Sequence, residues 1–242
     1  MAAPVSASTA TGLNGKDGLT VKEGATTDKV LLAYNNGTDS LLSDEQARKA
    51  FRYQIDAAGI ASAQPDAAGA LGGPISLLEP GYEDLTGLYP HDENQAGQMF
   101  SYFGAQYLTT VNLVVPEEYR SLAETIKQQI ERQPRPTVNL EVLSDEDYAK
   151  RIKDGKWELT VMSMDGTDDA GIFADPDSMF HYDHTEAQHA YSDARAATND
   201  ADYEARMKAY ARLISEDAAS DWLYTRKCFT VASTKVSGYP TS

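Results

Sequence analysis

Apolar and polar positions alternate between two periods along this chain, and the clearest stretch of each lies between Lys29 and Ile60. Val30-Leu31-Leu32-Ala33-Tyr34 is a continuous apolar run of strand length, closed by Asn35-Asn36-Gly37, residues that tolerate the positive φ of a sharp turn. Ala47, Ala50, Phe51, Ile55 and Ala58 then recur at three- and four-residue spacing and form one face of a helix. Ser43 and Gln46 are spaced as a capping box, Asp44 and Glu45 place negative charge in the first turn, and Gly59 is the expected stop.

The same two periods recur downstream. Asp92 is expected to cap a helix that buries Ala96, Met99, Phe100 and Phe103 and ends at Gly104. Thr110–Val115 reads as a strand, and Pro116-Glu117-Glu118 opens a helix with Leu122, Ala123, Ile126 and Ile130 on one side, ended by Pro134 and Pro136. Thr137–Leu143 alternates as a strand, Ser144–Asp147 starts a helix that stops near Gly155, and Trp157–Met162 is the next strand. Helices over about 185–197 and 200–217 precede a last strand, about Trp222 to Ala232. Before the organising unit, residues 1–28 offer only the short strand Leu19-Thr20-Val21 among loops, and residues 64–80 read as an ordered, glycine-rich loop. Strands alternating with helices through short connections predict an α/β domain, with a mixed, largely parallel sheet flanked by helices.

Composition adds two constraints. At 242 residues the chain can bury a core without covalent staples. Its 21 basic and 37 acidic residues give a net charge of −16, which disfavours nucleic acid and anionic membrane surfaces as partners. The single cysteine, Cys228, excludes an internal disulfide and sits in an apolar-flanked run, as a buried thiol would. No apolar run approaches the length of a membrane span, and Met1–Val5 has neither the basic nor the apolar region of a signal peptide, which suits a cytoplasmic chain or a mature or truncated piece of a longer one.

The chemistry is sparse. There is no nucleophile elbow, phosphate loop, dinucleotide fingerprint or paired-cysteine motif, so nothing seats a nucleophile, a base and an oxyanion site together, and no cofactor is implied. Three of the four histidines, His181, His184 and His189, fall in one window with Asp183 and Glu186, a transition-metal donor set whose spacing matches neither a one-face helix pair nor a finger. Asp165, Asp168, Asp169, Asp175 and Asp177 crowd the segment directly after a strand, where ligands sit in open α/β sheets, but without the spacing of a calcium loop.

Taken in order, these segments resemble the extracytoplasmic solute-binding proteins of the peptide/nickel class of ABC importers. Asn35-Asn36 followed by Asp44–Asp56 resembles that family's N-N strand end and its D-x-x-V-R-x-A-x-x-x-A-I-D helix. Gly69–Ile75 loosely matches a G-P-I loop, Tyr89–Gly104 the family's Y-x-x-D helix, Asp175-Pro176 its D-P, and Ala196–Tyr210 its closing A-x-x-x-x-D-x-x-x-R-x-x-x-Y segment. The resemblance implies one lobe, residues 1–242, of a two-lobed protein about twice as long, with the N-terminal lobe elsewhere in the parent chain. Met1–Val5 would then fall where the parent crosses between lobes.

It further implies a non-enzymatic protein that binds an oligopeptide or another small ligand and delivers it to an ABC permease. The parent would work outside the cytoplasm, held at the membrane only by a lipid anchor. Implied ligand contacts are Tyr34, Asn35, Asn36, Gly72, Gly73, Asp165, Asp168 and Asp169. The aspartate that peptide-binding members place just before the D-P is either displaced to Asp168 or Asp169 or absent here, since Gly171–Ala174 occupies that position. Two alternatives remain open: a metal or metallophore (nickel-type) binder using His181, His184 and His189, and a stand-alone interaction domain.

Overall fold

The computed structural model describes residues 2–104, 110–167 and 169–239. Among these, seven strands join in one sheet in the order β1-β7-β2-β6-β4-β5, with β3 also paired to β7. In chain order the elements are β1 (Ala2–Val5), α1 (Ala7–Leu13), β2 (Leu19–Tyr34), α2 (Glu45–Gln54), α3 (Ala57–Ala63), β3 (Ala67–Ala70) and α4 (Glu93–Gly104). They continue with β4 (Thr110–Pro116), α5 (Arg120–Ile130), β5 (Thr137–Leu143), α6 (Asp145–Lys153), β6 (Leu159–Met164), α7 (Thr185–Arg195), α8 (Asp200–Glu216) and β7 (Ser220–Ser233).

The sheet is mixed and flanked by helices, as expected, but parallel pairing is confined to one wing. β4 pairs in parallel with β5 and β6, whereas β2 is antiparallel to both β6 and β7, and β7 is antiparallel to β1 and β3. The sheet is therefore less parallel than the alternating strands and helices suggest. The reason is that the two longest strands, β2 and β7, come from opposite ends of the chain and run against each other, and a sequence pattern carries no information about that distant pairing.

Central β2 explains the organising run. Val30, Leu32 and Tyr34 face one hydrophobic cluster with α2, α3, α4 and α5, while Leu31 and Ala33 face a second with α7 and α8. Both faces are covered, so the run is apolar without alternation. The strand is longer than its apolar part: Leu19–Asp28 is the same strand, extended as a ribbon against β7 with a register shift between Ala25 and Lys29. That half is only partly buried, which is why its residues beyond the expected Leu19-Thr20-Val21 are mostly polar and carry no strand signal.

The first helix also differs from expectation. Asp44, not Ser43, is the N-cap, its Oδ1 accepting from the Gln46 N–H at 2.8 Å. The expected single helix breaks at Ile55-Asp56 into α2 and α3. Asp56 caps α3 by accepting from the Gly59 N–H at 2.8 Å, so Gly59 lies inside a helix instead of ending one. A Cβ on Gly59 would stand 2.2 Å from the Asp56 carboxylate. Gln129 holds the break in place: its backbone carbonyl accepts from the Gln54 side chain at 2.6 Å, and its side-chain oxygen accepts from the Asp56 N–H at 2.8 Å. Downstream, Asp92 caps α4 as expected, Ser144 caps α6 and Asn199 caps α8. The expected burial of Phe103 lies outside the described side chains.

Candidate ligand-binding site

The register of β2 against β6 fixes where each candidate residue can act. Tyr34 lies opposite Leu159 and Lys29 opposite Met164. Because β4, β5 and β6 run together, Tyr34-Asn35-Asn36 leave the sheet at the amino ends of the parallel wing, whereas Asp165 and Asp169 follow its carboxyl ends. Five residues of strand separate the two places, roughly 17 Å at about 3.3 Å per residue. The expected contacts are thus divided between two ends of the sheet.

At the amino end the two asparagines are braces. Asn35 donates from Nδ2 to the carbonyls of Trp157 (2.9 Å) and Gly155 (3.3 Å), and its Oδ1 accepts from the Gly37 N–H at 3.0 Å. Asn36 donates to the carbonyls of Tyr34 and Phe180, both at 3.0 Å, and of Ala219 at 3.2 Å. Both are buried, and Tyr34 is fully buried with a hydroxyl that has no hydrogen-bond partner among the described residues. Burial, and secondarily the charge of Asp221, holds the Tyr34 hydroxyl in its neutral form. Beside them opens a polar cavity of about 570 Å³, lined by Asn35, Gly37, Asn112, Glu141, Arg151 and His181 among others. Arg151 and Glu141 are already paired there at 2.9 Å.

The carboxyl end is built around a charge that the sequence reading missed. Lys29, fully buried, holds Glu79 at 2.7 Å and Asp169 at 2.9 Å, and its Nζ lies 3.4 Å from the Gly166 carbonyl. Glu79 also accepts from the Ser76 N–H at 2.8 Å. One ammonium therefore ties three segments together: the entry to the buried half of β2, the glycine-rich loop, and the segment after β6. Burial raises the Asp169 carboxyl and Glu79 raises it further, while the Lys29 ammonium opposes both. Asp165 stays exposed beyond this anchor. It acts on Asp28, whose carboxyl is raised first by burial and then by Asp165, with Arg226 and Lys29 opposing. Asp168 lies outside the described residues.

Gly72 and Gly73 serve packing. A Cβ on Gly72 would stand 2.1 Å from the Leu85 carbonyl carbon, and one on Gly73 2.9 Å from both the Leu85 side chain and the Ser215 hydroxyl. Only glycine at position 72 lets the two backbone segments meet so closely, and Gly73 leaves room for the Leu85 and Ser215 side chains. The histidines do not converge. His184 caps α7 by accepting at Nδ1 from the Ala187 N–H (3.2 Å) and stacks on Tyr182, His189 is exposed on the same helix, and His181 takes a left-handed φ of 48° at the rim of the large cavity. Among the described residues no three His, Cys, Asp or Glu side chains are grouped so as to hold a metal ion. The buried charges Lys29, Arg52 and Asp221 were the missed residues. Their signal was a lone charge beside an apolar run (Lys29-Val30, Asp221-Trp222), a position where charged side chains are buried only when paired.

No protein-family model and no curated protein sequence matches the chain. Solved structures do. The oligopeptide-binding protein AppA of Bacillus subtilis, in complex with a nonapeptide, superposes with a TM-score of 0.81 at 15% identity, over 99% of this chain and 53% of that one. NikA of Staphylococcus aureus, in complex with Ni(L-His)2, gives 0.79 at 16% identity, over 99% and 54%. The periplasmic binding protein DppA of Helicobacter pylori, in complex with the peptide STSA, gives 0.83 at 16%, over 96% and 48%. The chain spans about half the length of the structures it matches. At these identities the likeness establishes the fold, which is that of about half of a peptide- or nickel-type solute-binding protein, part of the type II periplasmic-binding-protein architecture.

Proposed function

We propose that this chain is the ligand-binding lobe of an ABC-transporter solute-binding protein, that its ligand is an oligopeptide, and that the ligand's amino terminus meets the carboxyl end of the parallel wing. The observation that carries the reading is the joint one: a fold that fills half of each peptide-binding match, with an exposed Asp165 directly after β6, in the segment that Lys29 holds through Asp169, and close enough to perturb Asp28. A pair of carboxylates at strand carboxyl ends suits an ammonium group, and strand carboxyl ends are where open α/β sheets hold ligands. Asn35, Asn36, Gly72 and Gly73 hold the lobe's frame in this reading. The partner is a second lobe of the parent chain, which closes over the ligand, and then a membrane permease. The parent acts outside the cytoplasm, anchored through lipid, and no helix of the described residues is long and apolar enough to cross a membrane.

One lobe supplies half of the contacts of a two-sided cleft, so this chain is expected to bind a peptide weakly. The test is a heteronuclear NMR titration with trialanine and with N-acetyl-trialanine. Shifts at Asp28, Asp165 and Asp169 that need the free ammonium support the proposal. Shifts at the Asn35 cavity instead, or equal responses to both peptides, overturn the placement. Tight binding by this chain alone overturns the single-lobe reading.

A further inference from the structure

Leu77 and Leu78 stand at the tip of a turn in the glycine-rich loop, 72% and 54% exposed. The Glu79 N–H donates to the Ser76 carbonyl at 3.0 Å, closing a four-residue turn with the two leucines at its centre. Such central places ordinarily hold glycine, proline, asparagine or aspartate. The turn is pinned: Glu79 Oε2 accepts from the Ser76 N–H at 2.8 Å and from the buried Lys29 at 2.7 Å. The Lys29 anchor thus holds two apolar side chains out of the core, at the end of the sheet where Asp165 follows β6. Beside Leu78 opens a cavity of about 200 Å³, lined by Ile75, Leu78, Pro80, Ala170, Tyr203 and Met207, with Thr167 and Glu79 also in its wall. Gly81, at a φ of 87°, lets the loop close against α8, where a Cβ would stand 2.7 Å from the Met207 Cβ. Ile75, Ala170 and Met207 are buried, whereas Leu78, Pro80 and Thr167 are exposed and leave the cavity open to solvent.

Two features say what fills it. The wall is mostly apolar, and its charged member, Glu79, is already engaged by Lys29, so the group that enters is an uncharged hydrocarbon. An apolar cavity of about 150 Å³ admits benzene, so about 200 Å³ takes one leucine, methionine or phenylalanine side chain. The second feature is continuity with Asp165. Thr167 is two residues further on, at most about 7 Å away at about 3.3–3.6 Å per residue. Gly166 between them is held by its carbonyl, 3.4 Å from Lys29 Nζ. An extended peptide advances by the same step, so a ligand whose ammonium group meets Asp165 brings its second or third side chain to this wall. We infer, resting on the peptide reading above, that the cavity is the specificity pocket of the same site. It takes a large apolar side chain from the second or third residue of the ligand, packed against Ile75, Leu78 and Met207.

The probes are trialanine, Leu-Ala-Ala, Ala-Leu-Ala and Ala-Ala-Leu, each free and N-acetylated, titrated against the methyl signals of Met207 and Leu78, the former assigned with Met207→Leu. Ala-Leu-Ala or Ala-Ala-Leu is expected to bind about tenfold tighter than trialanine and to shift Met207, with the free amino terminus required. Leu78→Ser, a change at an exposed position, is expected to bring the ratio of the leucine peptide to trialanine close to one. Ammonium-dependent shifts at Asp165 with trialanine, without any preference for leucine at the second or third residue, leave the peptide reading standing and overturn the pocket. A gain confined to Leu-Ala-Ala overturns it as well. Leucine peptides that move Met207 equally with free and acetylated amino termini overturn both the ammonium placement and the pocket's part in that site. Leu78 methyl signals that move with protein concentration before any peptide is added identify a second copy as the occupant and overturn the inference.

Discussion

Two buried cation–carboxylate clusters sit on the same sheet and do different work. Lys29 is matched to two carboxylates at 2.7 and 2.9 Å, one of which also accepts a backbone N–H. Arg52 is matched to one carboxylate at 3.2 Å, leaves an oxygen of it unpartnered, and borders open space. The compact ammonium on β2 acts as a knot between loops. The planar guanidinium on α2 is spread over three carbonyls and two rings and leaves its partner half satisfied. Two carboxylates from separate segments that converge on one ammonium tie those segments together, whereas one carboxylate beside the guanidinium ties only β7 to α2.

The largest expected effect comes from untying the knot. Lys29→Met leaves Glu79 and Asp169 buried against each other without a cation, a change of about 3–5 kcal/mol in stability at neutral pH. Urea unfolding measures it. Because burial already raises the Asp169 carboxyl and the ammonium that opposes it is then gone, the loss is expected to shrink on acidification. A Lys29→Met chain as stable as the parent at pH 8 would show that the cluster is not what holds the 165–174 segment.

The second cluster is expected to write itself into the pH dependence. Burial pushes the Asp221 carboxyl up to about 7, with Arg52 opposing. Its folded-state value lies above the ordinary 3.8, so the folded form holds a proton that the unfolded form has released. That contribution is fully present below about pH 4 and is lost as pH rises towards 7, a swing of about 4 kcal/mol at 1.36 kcal/mol per unit. Asp221→Asn is expected to flatten this part of the stability profile while leaving the acid limb, set by other carboxyls, in place. An unchanged slope between pH 4 and 7 would separate Asp221 from the effect.

The glycine-rich loop joins the two clusters, since the Gly72 carbonyl accepts from Arg52 and Glu79 reaches Lys29. Gly72→Ala forces a Cβ into the Leu85 carbonyl carbon, 2.1 Å away, and is expected to cost about 1–3 kcal/mol. If both clusters depend on that loop, Gly72→Ala also lowers the protection of the 165–174 amides in hydrogen exchange. Gly69→Ala, which meets no atom within 4 Å, is the matched control.

The same contrast explains what could be read from sequence. Local signals held where local physics decides: the apolar run of β2, the helix starts at Asp92 and Ser144, and the two helices α7 and α8 all stand as expected. The break between α2 and α3 was hidden because it depends on Gln129, seventy-odd positions away, and Asp56 reads equally well as a helix interior residue. The site was hidden for a related reason. Tyr34-Asn35-Asn36 and Asp165–Asp169 each follow a strand, and only the antiparallel register of β2 on β6 reveals that they leave at opposite ends. Lys29 and Asp221 were visible as residues but not as a pattern, because their partners are fifty and 169 positions away.

The smallest expected effect on stability is at Asp165, the residue on which the proposed ligand contact rests. Asp165 is exposed, and Asp165→Asn is expected to change stability by less than about 0.5 kcal/mol. Its consequence is electrostatic. Burial and Asp165 both raise the Asp28 carboxyl while Arg226 and Lys29 lower it, so removing the Asp165 charge is expected to bring the Asp28 value down, as followed by side-chain carboxyl NMR. The sign alone does not separate the causes, because a mutation that merely loosened the segment would relieve burial and lower the value too, and amide exchange decides, since loosening would raise it there. A lowered Asp28 value with unchanged exchange places the two carboxylates in one field at the carboxyl end of β6, the arrangement an ammonium group would occupy. An Asp28 value that does not move sends the search for the ligand back to the polar cavity beside Asn35, at the other end of the sheet.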